Sequence, residues 1–245
     1  MNRGVRSVAP CDCQKAARTA GLLMRAEFPR QYDHCTLDNF DVMFPSSTRA
    51  LDRALITARK FVEQYPVEKE GMLFWGGCGT GKTHLAIAVL KELIMKKAVT
   101  CLFRGYSALL KQIQATYSRQ ITADGDTAVV LTEYSILRDV TEAEVLVLDD
   151  LGAEKSSEWA LSMLYHVINE RYNAHLTTII TTNLPWDEQQ GAPPIEKMTT
   201  AQKAMRVETL RDRISERTYS RITEMCPIRI ELVASDYRKI RGARI

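Results

Sequence analysis

The chain has 245 residues, 45% of them apolar and 26% charged, an ordinary balance for a soluble globular protein with one good core and a short appendage. No stretch reaches the ~18 consecutive apolar residues of a membrane span. The opening MNRGVRSVAPCDC lacks the apolar region of a secretory signal, and the six cysteines are scattered rather than arranged as a disulfide framework, so a cytoplasmic, reducing setting is expected. Net charge is +3, unevenly spread: residues 1–30 carry six Lys/Arg against two acids and residues 201–245 carry eleven against six, leaving the middle negative. Basic ends suit contact with nucleic acid or an acidic partner.

Residues 1–30 form a basic lead-in whose landmark is Cys11-Asp12-Cys13. Cys11, Cys13, His34 and Cys35 could together offer four metal ligands, but no second spaced cysteine pair is present, and an ordinary flexible lead-in is expected. Arg30 to Phe44, RQYDHCTLDNFDVMF, alternates polar with apolar and aromatic residues and reads as an extended segment lying on the domain. Ser46-Ser47-Thr48 offers an N-cap. Leu51, Ala54, Leu55, Ala58, Phe61 and Val62 then follow at helical spacing, until Pro66 stops the helix.

Met72 to Trp75 is an apolar strand. Gly76-Gly77-Cys78-Gly79-Thr80-Gly81-Lys82-Thr83 fits G-x-x-x-x-G-K-[ST], and an apolar helix starts at Leu85. Strand, glycine loop and helix are the context in which backbone N–H groups and a helix N-terminus cradle phosphates. Lys82 should reach the outer phosphates of ATP and the Thr83 hydroxyl should sit on Mg²⁺.

Val99 to Phe103 is the next strand. Tyr106, Leu109, Leu110, Ile113 and Tyr117 form an amphipathic helical face, with Lys111 and Arg119 off it. A loop over residues 122–126 precedes a further helix from Val129 to Val140. Val145 to Leu148 is a buried parallel strand ending in Asp149-Asp150. Ligands of such sheets sit beyond the strand C-termini. Asp149 is therefore placed to hold Mg²⁺ through water, and Asp150 to polarise the attacking water. Ser156 or Ser157 caps a helix with Trp159, Met163, Leu164, Val167 and Ile168 inward. Thr178 to Thr182 is another strand, with Asn183 at its end to orient water against the γ-phosphate. A loop around Gln189–Pro194 leads to a basic, mostly helical stretch from Lys197 to Arg221, and Ile228 to Leu232 is the last strand. Arg217 and Arg221, four apart, share a helix face, from which an arginine could act on the γ-phosphate of a neighbouring subunit. The reading is an α/β fold with five mostly parallel strands and helices on both faces.

GGCGTGKTHLA, VLVLDDLGAEKSSEW, LYHVINERY, TIITTNL, the SRI around Arg221 and SDYR at 235–238 together resemble the AAA+ ATPases of the DnaC type, bacterial replicative helicase loaders, with the IstB-type transposition helpers as close relatives. The likeness runs from about Arg30 to Arg238. It implies a P-loop NTPase (AAA+) core over residues 36–245 and a short segment, 1–35, that contacts the helicase. It also implies Walker A roles for Lys82 and Thr83, Walker B roles for Asp149 and Asp150, sensor 1 at Asn183, an arginine finger at Arg221 beside Arg217, and a sensor-2-like arginine at Arg238. The family implies ATP and Mg²⁺, a homo-oligomer in the ATP state, a replicative helicase of the DnaB type as partner, and single-stranded DNA held near Tyr106 to Val140. There Arg104, Tyr106, Lys111, Tyr117 and Arg119 are the candidates, as cations for phosphate and rings for bases. Only 24 residues follow Arg221, so no C-terminal helical lid is expected. Three rivals are a transposition helper on the same core, an ATP-gated DNA-binding adaptor with little hydrolysis, and a small-molecule kinase. Asp150 in place of the more frequent Glu favours the adaptor; the DDLGAEK and TTNL pattern counts against the kinase.

Overall fold

The protein is described by a computed structural model that covers residues 11–44, 47–118, 132–153, 155, 157–186, 199 and 206–242. Five strands, β1 (Met72–Trp75), β2 (Cys101–Gly105), β3 (Val145–Asp149), β4 (Thr177–Thr182) and β5 (Ile228–Glu231), form one sheet in the order β2-β3-β4-β1-β5. Every pairing is parallel, with Trp75 opposite Thr182 and Leu148 opposite Ile180. Alternation with a period of two divides the strand side chains between two cores. Met72, Phe74, Val145, Val147 and Ile179 meet helices α1 (Asp12–Arg25), α2 (Arg49–Gln64) and α3 (Lys82–Lys97) on one face. Leu73, Leu146, Leu148 and Ile180 meet α4 (Tyr106–Ser118), α5 (Glu133–Glu142) and α6 (Glu158–Asn173) on the other. Burial on both faces is why β1 and β3 are apolar runs, while β4 buries four threonines beside Ile179 and Ile180.

Caps define the helix starts. Thr48 accepts from the Ala50 N–H at the head of α2, Thr132 and Ser135 form a reciprocal capping box on α5, and Ser157 accepts from Ala160 on α6. The late basic stretch is broken into two helices, α7 (Leu210–Arg213) and α8 (Glu216–Met225), because Ile214 adopts an extended backbone and Ser215 caps a new start. The loop expected around Gln189–Pro194 and the start of the helical stretch expected from Lys197 lie outside the described residues, as do the loop expected over 122–126, Ser156 and Arg119. A last helix, α9 (Tyr237–Gly242), follows β5.

Edge strand β2 is closed by the N-terminal segment, where the Ala26 carbonyl accepts from the Phe103 N–H. Leu22, Leu23 and Phe28 pack against the core, while Met24 remains exposed. Cys11 and Cys13 are joined as a disulfide, a pairing that the scattered cysteines were not expected to make.

Candidate nucleotide site

The glycine loop runs from β1 into α3 at the C-terminal end of the sheet. Gly79 (φ 72°) and Gly81 (φ 97°) take left-handed backbone conformations that favour glycine. A Cβ on Gly79 would lie 1.8 Å from an Asp236 carboxylate oxygen, and one on Gly81 would lie 2.7 Å from the Phe40 ring. The Thr80 hydroxyl donates to the Gly77 carbonyl across 3.0 Å. The Lys82 ammonium lies inside the turn, donating to the Gly76 and Gly77 carbonyls at 2.9 and 2.7 Å. Burial holds its pKa below the ordinary lysine value.

Thr83 donates to Asp149 at the end of β3, Oγ1 to Oδ1, across 2.8 Å. Thr181 of β4 donates to the same Asp149 oxygen at 2.6 Å and accepts from the Asp150 N–H at 2.9 Å. Burial pushes the Asp149 carboxyl above its usual range, opposed by the two threonine hydroxyls. A carboxylate so placed gains from a cation, and Asp149 with Thr83 supplies hard oxygen donors beside the phosphate loop, so these residues fit Mg²⁺. Asp150 is exposed, with a left-handed backbone (φ 58°), and Asn183 donates to its Oδ1 at 2.6 Å. The two residues expected to handle the attacking water thus touch one another.

These groups share a cleft of about 1050 Å³ with Tyr32, Phe40, Tyr237 and Arg238. The Tyr237 N–H bonds the Gly79 carbonyl, which brings the SDYR segment onto the loop. Arg238 itself pairs with Asp236 at 3.2 Å. The wall formed by residues 31–44 contributes Tyr32, whose phenol pKa is raised by burial and by the nearby Asp149 charge. Thr181, Tyr32 and Asp236 were not expected at the site. Thr181 reads as an ordinary β-branched strand residue, and only the pairing of β4 between β1 and β3 reveals its place.

Arg217 and Arg221 do not line this cleft. Arg217 is exposed over the Tyr165 ring at 4.8 Å, and Arg221 is half-buried over Tyr165 and Tyr172 of α6, at 5.0 and 5.4 Å. Two DNA candidates require correction. Arg104 is buried and bonds Glu27 at 2.8 Å and the Phe103 carbonyl, so its charge serves to fasten the N-terminal segment. Tyr106 is buried, and its hydroxyl donates to the Ala160 carbonyl. Lys111 and Tyr117 are exposed on α4.

The sheet order, the loop and the two aspartates define an ATP-binding protein of the AAA+ P-loop class. A family model described as IstB-like ATP binding protein matches residues 12–208, and the chain belongs to that family. The replicative helicase loader DnaC of Escherichia coli (strain K12) is 24% identical over 184 residues, spanning 75% of this chain and 69% of the relative. The uncharacterized protein YqaM of Bacillus subtilis (strain 168) is 24% identical over 185 residues, 73% of this chain and 55% of YqaM. A crystal structure of the DnaC helicase loader superposes with a TM-score of 0.61 at 29% identity, covering 83% of this chain and 99% of that one. AMPPCP-bound DnaA from Aquifex aeolicus shares the fold, with a TM-score of 0.58 at 19% identity over 86% of this chain and 55% of its own.

Proposed function

We propose that this protein is an ATP-dependent replication helper that loads a replicative hexameric helicase onto single-stranded DNA. The observation that carries the reading is a likeness to the DnaC loader that extends over 99% of that solved chain and 83% of this one. In this reading ATP lies in the cleft with its phosphates on the loop and Lys82. Thr83 and Asp149 hold Mg²⁺, which neutralises charge on the transferring phosphoryl group. Asp150 and Asn183 orient water, and Arg238 approaches from the SDYR segment. Arg217 and Arg221 face a neighbouring copy, so ATP binding assembles the oligomer and hydrolysis releases it. Lys111 and Tyr117 are the remaining described contacts for single-stranded DNA, and the basic segment 1–35 contacts the helicase.

The test is capture of the host's purified replicative helicase by this chain, with ATP, with ADP and without nucleotide, followed by transfer to single-stranded DNA. ATP-dependent capture and transfer support loading; absence of capture in every nucleotide state refutes it. The family's IstB-like description favours one second reading, a transposition helper on the same ATPase core. ATP-dependent binding of a transposase encoded beside this gene, without helicase binding, would favour that reading.

A further inference from the structure

The wall of the cleft carries a group of side chains to which the proposed function assigns no role. His34 and Cys35 come from the turn after the short helix Arg30–Tyr32, and His84 from the first turn of α3. One potential ligand atom from each of the three lies within 4.8 Å of the others. The Cys35 sulfur is 3.9 Å from His34 Nε2, close to the separation of about 3.5 Å that two ligands take on one tetrahedral zinc. His84 Nε2 is 3.0 Å from the Thr36 carbonyl. Donation there fixes the tautomer and leaves Nδ1 with its lone pair, the second-shell arrangement that metal-bound histidines use.

We propose that His34, Cys35 and His84 form a binding site for one borderline divalent cation of the zinc and cobalt class. One thiolate and two imidazoles are the donors such ions prefer, whereas Mg²⁺ takes oxygen. Cys35 is 1% exposed, so the sulfur is shielded, while His34 is exposed and its side chain is free to close the remaining distance. The backbone beneath is already held: Lys91 donates to the carbonyls of Tyr32 and Asp33 at 2.8 Å and to that of Cys35 at 3.3 Å. Binding displaces the thiol proton to solvent. Three protein ligands leave one coordination position for water on the exposed side. A bound ion would pin the cleft wall to the helix that carries Lys82 and Thr83.

The proposal does not depend on a helicase partner, and its test uses neither nucleotide nor helicase. The full chain, stripped of metal with chelator and kept reduced, is titrated with Co²⁺. The expected result is one equivalent bound, with a thiolate-to-cobalt charge-transfer band, the d–d intensity of a four-coordinate ion, and displacement by Zn²⁺. Cys35→Ser should remove the charge-transfer band. His34→Ala, at an exposed position, should weaken binding at least about tenfold without altering the thermal melt. Absence of stoichiometric binding, or a spectrum and affinity unchanged in both variants, overturns the assignment.

Discussion

Thr181→Val tests how Asp149, the carboxylate proposed to hold Mg²⁺, is positioned. The hydroxyl donates to Asp149 at 2.6 Å and accepts from the Asp150 N–H at 2.9 Å, and the residue is 1% exposed. Valine keeps the β-branched shape and removes both bonds. A hydrogen bond to an ionised, buried carboxylate contributes about 1.5–3 kcal/mol, which is roughly 10- to 150-fold in an equilibrium constant. Burial already pushes the Asp149 carboxyl upward, and losing one of its two stabilising hydroxyls makes the ionised form costlier still. The half-maximal Mg²⁺ concentration for ATP turnover should therefore rise by roughly 10- to 100-fold, the usual effect of removing a metal ligand's supporting partner. Affinity for ATP measured in chelator should stay within about twofold, because the loop and Lys82 are untouched. Thr181→Ser should restore the wild-type requirement. A Thr181→Val protein that melts normally and needs no more Mg²⁺ than wild type would refute the reasoning.

Lys82→Ala should weaken ATP binding by about 100-fold or more, since charge-assisted bonds to phosphate are lost; titration with a fluorescent ATP analogue checks it. Burial lowers the Lys82 pKa in the free protein, and phosphate charge should raise it in the complex. Binding should then take up a proton at alkaline pH, and affinity should fall as pH rises through the depressed free-state value. Calorimetry in buffers of different ionisation enthalpy reads that uptake, and Lys82→Ala should abolish it. Arg171 is 0% exposed and donates to the carbonyls of Val140, Ala143 and Thr177 and to the Thr178 hydroxyl, joining the end of α5 to α6 and β4. Arg171→Met leaves those carbonyls unpaired and should cost about 4 kcal/mol, or roughly 8–16 °C in Tm, by thermal melt.

What could be read in the sequence is what local chemistry encodes. The glycine loop is contiguous, and its flanking strand and helix declare themselves by composition, so the phosphate side of the site was legible residue by residue. Asp149 and Asp150 were legible because an apolar run ending in acids has one reading in a parallel sheet. The rest depends on contacts distant in the chain. Thr181 joins the site only because β4 lies between β1 and β3. Arg104 counted as a surface cation until Glu27, 77 residues away, was seen to pair with it. Tyr106 and Arg171 likewise carry polar groups whose buried partners no periodicity reveals. Residues 31–44 were expected to lie on the domain, and that they wall the cleft follows from Lys91 gripping their backbone. His84 reads as one more residue of a helix start until the fold brings His34 and Cys35 to it.

The central claim is that two copies of the chain build one ATPase centre, with Asp150 supplied by one and Arg221 by the next. The direct measurement is steady-state ATP turnover of Arg221→Ala and Asp150→Asn, each alone and then mixed in equal amounts. Each alone should bind ATP and turn it over slowly, and the mixture should recover a clear fraction of wild-type activity, because some interfaces then pair an intact Asp150 with an intact Arg221. A mixture no more active than the mean of its parts would contradict a shared centre.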